Sequence, residues 1–224
     1  SIKILNDTFN SISMLDGVDP RTPIYISVDG LPANKLDKEN IHTLHEYVKT
    51  LRIRFQEDPH VTIVNNYEHG HISNSIGVVL ELVKTKFIYI VQHDFKFTRR
   101  IDHTALVKSM CEQPMMIQIV RFGKTNSTAY NVSEDCLKHQ IVKANGLDFF
   151  LGNWSDNNHF TTKAYYEKLL AELGPVSRPP EGPMMYRSTH DKAPRNCTYI
   201  YQYVYNIQEG PFIEHLDGQH STSY

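Results

Sequence analysis

The sequence predicts an α/β fold, in which helices cover both faces of a mainly parallel, mixed central sheet. Short apolar runs rich in β-branched residues alternate with longer segments whose apolar residues recur every three or four positions. The links between them are short, which favours right-handed crossovers and three layers of secondary structure. A chain of 224 residues is long enough for one domain with a substantial core.

The first strand–helix pair begins at residues 24–28, an apolar run between Pro23 and the turn residues Asp29 and Gly30. A second pair starts with the strand at residues 61–64. The two helices are predicted by apolar stripes at helical spacing: Ile41, Leu44, Val48 and Leu51 for the first, and Ile76, Val79, Leu80 and Val83 for the second.

The third strand, residues 87–91, is apolar throughout, which indicates a position inside the sheet with both faces covered. Upstream, residues 5–15 are expected to form a helix after a first strand that this chain has lost or barely keeps. The last third of the chain is less regular. Its predicted elements are strands at 116–120, 148–154, 198–204 and 212–215, a helix at 161–173, and a Pro-rich loop at 175–183 that leads into a short helix.

Bulk properties exclude some partners. The net charge is −2 at pH 7 with the 12 histidines neutral, so no global basic field favours nucleic acid or an anionic membrane. No apolar run is long enough to be a transmembrane segment. The compartment stays open between the cytoplasm and, if Asn-X-Ser/Thr sites are used, the Golgi or secretory lumen. The three cysteines are either reduced or form one disulfide with a free thiol: Cys111, Cys136 and Cys197.

Polar residues follow the predicted strands at their carboxyl ends, where ligands bind in such sheets. Asp29, the turn at 65–66 and the tripeptide Gln92-His93-Asp94 are therefore expected to converge on one crevice. The Asp94 carboxylate at a buried strand's end suits Mg²⁺ or Mn²⁺, although such a residue can also simply cap a turn.

A second candidate lies at residues 213–221. If this segment is extended, His215 and Asp217 lie on one side of it, and Gly218 permits close approach of the backbone. An imidazole ligand favours Mn²⁺ over Mg²⁺. The alternative is a solvated tail near the chain terminus.

Taken in order, these motifs resemble those of GT-A glycosyltransferases, in particular family 2. Residues 24–30 (IYISVDG) resemble the second strand of that fold, residues 69–77 (HGHISNSIG) its Gly-rich turn and helix start, and residues 87–94 (FIYIVQHD) the strand that ends in a metal-binding Asp-X-Asp. Residues 212–218 (FIEHLDG) resemble the segment that returns a His to the metal. The resemblance covers about residues 20–220.

The resemblance implies a three-layer, Rossmann-like GT-A domain over residues 1–224, truncated before its first strand. About 1–115 would be the nucleotide-sugar donor half, and about 116–224 the acceptor half with the C-terminal metal segment. It implies an inverting transfer from a nucleotide-diphosphate sugar to a carbohydrate or glycoconjugate hydroxyl, with Mn²⁺ or Mg²⁺ and no nucleic-acid partner.

The resemblance also assigns roles to particular residues. Asp29 would contact the nucleotide base, and Asn74 would support the donor site. Asp94, His215 and Asp217 would hold the metal.

One position departs from the family pattern, because Gln92 replaces the first Asp of Asp-X-Asp. Gln92 is neutral and can hydrogen-bond a ribose hydroxyl, which leaves Asp94 as the only certain acidic ligand. His93 or His215 would then compensate for the missing carboxylate.

The catalytic base must be a carboxylate or His facing the acceptor hydroxyl. Glu181 in the segment 179–185 occupies the place of the family's base, and Asp156 in the segment 154–159 is its rival. The alternative for Glu181 is a carboxylate that interacts favourably with the dipole of a helix. The alternatives for the segment around Trp154 are an acceptor platform and an Asx-rich turn. Two arginines are candidate diphosphate partners or simply solvated: Arg121 and Arg187.

Other functions stay open at this point. A nucleotidyltransferase can share a related sheet, but the Gly-rich, basic phosphate loop expected near the first strand is not visible. A carbohydrate-binding domain that keeps the fold without turnover is favoured by Gln92. A histidine-based zinc hydrolase is disfavoured, because the histidines lack ligand spacing.

Overall fold

The computed structural model describes residues 1–125, 141–174, 180–190 and 202–216. Its strands are β1 (Leu15–Asp16), β2 (Ile24–Val28), β3 (Val61–Asn65), β4 (Phe87–Ile90), β5 (Phe95–Phe97), β6 (Ile101–Asp102), β7 (Ile119–Arg121), β8 (Ile141–Ala144), β9 (Leu147–Gly152), β10 (His159–Thr162), β11 (Gln202–Tyr205) and β12 (Ile213–His215). Its α-helices are α1 (Ile2–Ser11), α2 (Lys38–Arg54), α3 (His71–Leu82), α4 (His103–Glu112), α5 (Lys163–Leu173) and α6 (Glu181–His190).

The α/β class predicted from the sequence is confirmed, since helices and a mixed six-stranded sheet make up the structure. The chain divides into two compact units. The first comprises Ser1–Val18, Lys86–Tyr165 and Glu181–Tyr224, and the second Asp19–Thr85 and Tyr166–Pro180. The division into a donor and an acceptor half near residue 115 stays a prediction, and the first unit contains residues on both sides of that boundary.

The sheet of the first unit has the strand order β4-β10-β7-β11-β9-β8. Among its described pairs, β7 and β11 are parallel and the other four are antiparallel. The expectation of a mainly parallel sheet is therefore wrong for this unit. Strand β4 also lies at the edge of this six-stranded sheet, not in its interior as its apolar sequence predicted.

The physical reason is strand β10, which inserts antiparallel between β4 and β7, with His159 opposite both Ile90 and Arg121. The preceding residues are polar and gave no strand signal. The core beneath the sheet is largely aromatic: the ring of Phe160 lies 5.4 Å from that of Phe87 and 4.5 Å from that of Tyr89, centroid to centroid. These contacts fix the register of β10 because a shift of one residue would turn Phe160 to the opposite face.

Strands β5 and β12 form a separate antiparallel pair in the first unit, with His215 opposite Phe95. Helix α1 supports this pair, since the Ser11 hydroxyl accepts a hydrogen bond from the Phe97 amide at 2.9 Å. The pairing matters for function because it brings the end of the described chain beside the turn that follows β4.

The second unit contains the parallel pair β2–β3, in which Ile24 lies opposite Val61 and Val28 opposite Asn65. Helix α2 begins where the Asp37 carboxylate accepts a hydrogen bond from the Asn40 amide at 2.8 Å, an ordinary N-cap. Both predicted strands are present, and the two predicted helical stripes are confirmed in part. Val48 and Leu51 of α2 are buried whereas Ile41 is exposed, and α3 buries Ile76 and Leu80 but ends before Val83.

In the last third, the predicted strand 116–120 begins later, at β7, and the strand 198–204 is described only from Gln202. Most of the Pro-rich loop, residues 175–179, lies outside the described residues. Cys111 is an exposed free thiol, and the other two cysteines are not among the described residues. Within the described ranges, no helix is both long and apolar enough to cross a membrane.

Candidate functional site

The Asp94 carboxylate lies against His215 in the first unit. Asp94 belongs to the turn after β4, which is closed by a hydrogen bond from the Phe95 amide to the Gln92 carbonyl at 3.2 Å. His215 reaches it from β12, with its Nε2 3.0 Å from Asp94 Oδ2, although the two residues are 121 positions apart in sequence. The Leu216 amide also donates to the Asp94 carbonyl at 2.8 Å. The two predicted metal ligands therefore lie side by side.

The surroundings of this pair orient both side chains. The His215 ring stacks on Phe95 with centroids 4.5 Å apart, and the Thr8 hydroxyl donates to the His93 carbonyl at 2.8 Å. The Asp94 and His215 side chains are 16% and 24% exposed. They are thus partly shielded from water yet still accessible to a ligand.

The remaining oxygen, Asp94 Oδ1, is buried and accepts no hydrogen bond. The His93 imidazole nitrogen Nδ1 lies 4.0 Å from it, on a side chain that is itself 64% exposed. A buried carboxylate oxygen without a partner is costly, and a bound cation would satisfy it. Carboxylate oxygen and imidazole nitrogen together suit Mn²⁺.

The residues present are thus compatible with a divalent cation, with Asp94 and His215 as its protein ligands. Among the described residues, no group of three or more His, Cys, Asp or Glu side chains is arranged to hold a metal ion. Asp217, the third predicted ligand, lies outside the described residues. A cation bound by this pair would therefore take its other ligands from a bound phosphate or from water.

Gln92 uses its amide to hold another segment of the chain. Its Nε2 donates to the Asp156 carbonyl at 2.7 Å, and its backbone N–H donates to Asn158 Oδ1 at 2.9 Å. Asn158 Nδ2 in turn donates to the Phe95 carbonyl at 2.9 Å. The Gln92 side chain thus already donates one amide hydrogen within the protein. The contact of Gln92 with a ribose hydroxyl stays a prediction.

The two rival candidates for the catalytic base, Asp156 and Glu181, are neighbours. Asp156 lies in the loop before β10 and is 7% exposed, and its Oδ1 has no hydrogen-bond partner. Burial raises the pKa of Asp156 to about 7, and the charge of Glu181 adds to this rise. The Glu181 backbone N–H, at the first turn of α6, donates to the Asp156 carboxylate and lowers its pKa to a smaller extent.

The interpretation of Trp154 as an exposed platform for a sugar ring is wrong. Trp154 is 1% exposed, and its indole N–H donates to the Tyr165 hydroxyl at 3.5 Å. His159 is also buried, with its Nδ1 2.6 Å from the Asn157 carbonyl, and burial lowers the pKa of His159 to about 4. The cluster folds inward because the segment enters the sheet at β10.

The cations near the site differ from those expected. Arg121 is 9% exposed, and a Cβ atom added to Gly152 would lie 2.9 Å from its guanidinium. Its predicted diphosphate contact is not favoured by this packing and stays a prediction. Lys124 is exposed and places its Nζ 6.0 Å from the centroid of Phe95, the ring on which His215 stacks. Lys124 has no recognisable signal in the sequence, and the side chain of Arg187 lies outside the described residues.

Two predicted donor-site residues, Asp29 and Asn74, share one turn of the second unit. The Asp29 carboxylate accepts hydrogen bonds from the amides of Gly70 at 3.1 Å and His71 at 2.9 Å, and its Oδ2 lies 2.7 Å from His69 Nδ1. The Asp29 carboxylate thereby provides hydrogen-bond acceptors for two free backbone amides at the N-terminus of α3. The Asn74 side chain packs directly on Gly70, where a Cβ atom would collide with it. Their contacts with a nucleotide stay predictions.

No protein-family model and no curated protein sequence matches this chain.

Proposed function

We propose that this chain is a glycosyltransferase domain of the Rossmann-like GT-A type, which transfers a sugar from a nucleotide-diphosphate sugar to an acceptor hydroxyl. The single observation that carries the proposal is the contact between Asp94 and His215. A carboxylate at the end of an apolar strand and an imidazole from the C-terminal segment meet at 3.0 Å, and the second carboxylate oxygen is buried without a partner. The family resemblance of the two segments calls for this pair at the metal.

Asp94 and His215 would hold Mn²⁺, which supplies charge neutralisation for the departing nucleoside diphosphate. The imidazole favours Mn²⁺ over Mg²⁺. Lys124, near the ring on which His215 stacks, would add positive charge for the phosphates.

Asp156 and Glu181 would act together as the acid–base unit. In an inverting transfer the acceptor hydroxyl gives its proton to a carboxylate while its oxygen forms a bond to the anomeric carbon. The bond from that carbon to the diphosphate oxygen breaks, and the diphosphate leaves with the electron pair. A pKa of about 7 at Asp156 suits this step, because a base is most effective when its pKa lies near the working pH.

The test is a survey of UDP-, GDP-, dTDP- and CMP-sugars for donor hydrolysis and transfer, with and without Mn²⁺. We expect one donor to be turned over in a metal-dependent way, and Asp94→Asn and His215→Ala to lower the rate by roughly 100-fold or more. Asp16→Asn is the matched control, because Asp16 is a surface carboxylate of the same unit, with a side chain 62% exposed. Unchanged, metal-independent transfer by Asp94→Asn would refute the proposal, and donor binding without turnover would favour an inactive carbohydrate-binding domain.

A further inference from the structure

The loop at residues 153–158 has no regular structure, yet amide side chains fasten it at several points. Gln202 forms two hydrogen bonds with the Ser155 backbone, accepting from its N–H and donating to its C=O, each at 2.9 Å. Asn158 and Gln92 hold the other end of the loop against the turn after β4. Gln202 and Asn158 are completely buried, so these bonds are shielded from competing water.

Only a hydrogen-bond donor fits at position 92. The group that faces the Gln92 side chain is the Asp156 carbonyl oxygen, 2.7 Å from Nε2. An ionised Asp or Glu has acceptor atoms only, so it would place oxygen against oxygen and leave the carbonyl without a donor. The departure from Asp-X-Asp therefore has a physical explanation, because position 92 supplies a hydrogen-bond donor to the loop.

Gln92 and Asp94 belong to the same turn, and Asp156 belongs to the loop that Gln92 holds. We propose that Gln92 is a positioning residue, which fixes the loop of Asp156 against the turn of Asp94 and so keeps the two acidic groups in a constant relation. The catalytic consequence rests on the proposed function, whereas the fixing of the loop does not. Displacement of a base by about 1 Å can cost roughly 100-fold in rate.

The experiment compares the wild type with Gln92→Met, which keeps the side-chain volume and removes the donor, and with Gln92→Ala. Gln118→Met is the matched control, because Gln118 Nε2 also donates to a backbone carbonyl, that of Met115 at 3.4 Å, from an exposed position. The readout is the titration of the Asp156 carboxyl carbon by ¹³C NMR, assigned with Asp156→Asn.

We expect Asp156 to titrate at about 7 in the wild type and in Gln118→Met. In both Gln92 variants the released loop admits water to the carboxyl group, and the pKa falls towards its ordinary value of 3.8. With a nucleotide sugar that the wild type turns over, kcat of both Gln92 variants should fall roughly 10- to 100-fold. The KM for that nucleotide sugar should stay the same, since Asp94 and His215 are unaltered.

Two results would overturn the positioning role. The first is an Asp156 pKa that is the same in Gln92→Met as in the wild type. The second is a wild-type Asp156 that titrates at its ordinary value, which tests the inference even if the variants fail to fold. Absence of any sugar transfer by the wild type, together with the expected pKa change in the Gln92 variants, would instead refute the proposed function and leave the positioning role standing.

Discussion

Replacing Asp156 with Asn should stabilise the protein, and the gain should grow with pH. In the folded chain the pKa of Asp156 is raised to about 7 from the ordinary value of 3.8, so the folded state keeps a proton that the unfolded chain loses. Wild-type stability therefore falls as the pH rises from about 4 to about 7. The Asn variant has no such proton and escapes this loss.

The size of the effect follows from the separation of the two pKa values. Each pKa unit corresponds to about 1.4 kcal/mol, so the difference in unfolding free energy between variant and wild type should increase by roughly 4 kcal/mol between pH 4 and pH 8. This is an upper value, since relaxation of the loop would admit water and reduce it. The titrating groups that do not interact with Asp156 contribute equally to both proteins and cancel in the comparison, whereas Glu181 is coupled to Asp156 and belongs to the effect.

Urea unfolding followed by tryptophan fluorescence is the suitable assay. The chain has a single Trp, and Trp154 is buried two positions before Asp156 in the first unit. Its emission therefore reports on the unit that contains the carboxyl group. A stability difference between Asp156→Asn and the wild type that is the same at pH 4 and at pH 8 would refute a buried, proton-retaining Asp156.

The other predictions concern its neighbours and the second unit. Glu181→Gln should lower the pKa of Asp156, because it removes the negative charge that helps to raise it, and a ¹³C titration that shows no fall would contradict the pairing. Gly70→Ala should destabilise the second unit by about 1–3 kcal/mol, since the added Cβ collides with the Asn74 side chain. Asn74→Gly, which also removes the Asn74 Cβ that the added atom would meet first, should recover part of that loss in the double variant, measured by thermal unfolding, and purely additive losses would argue against the collision.

The sequence predicted those elements whose signal is local. The stripe of α2 and the apolar runs of β2, β3 and β4 appear in the structure because burial of one face follows directly from residue spacing. Strand order did not follow, since β10 pairs with β4 across about seventy residues and its entry segment is polar. A side chain's burial in such a segment depends on neighbours that the local pattern does not reveal, so the burial of Trp154 could not be predicted.

The candidate site could likewise be predicted only in part. The meeting of Asp94 with His215 was expected from the order of two motifs, and the structure places them in contact. The role of Gln92 could not be found in this way. Its partner is a backbone carbonyl 64 positions away, and a backbone group has no sequence signature. Nor could sequence reasoning place Asp156 beside Glu181, because their proximity arises from the packing of α6 near the loop.

Direct measurement of Mn²⁺ binding would show whether Asp94 and His215 share a cation. The measurement is a titration of Mn²⁺ by electron paramagnetic resonance in the presence of UDP or GDP, with the wild type, Asp94→Asn, His215→Ala and the control Asp16→Asn. We expect one bound Mn²⁺ in the wild type and in the control. Loss of a residue that only orients a ligand costs roughly 10- to 100-fold in metal affinity, and both site variants should lose more than that. Equal Mn²⁺ affinity in all four proteins would contradict a shared cation.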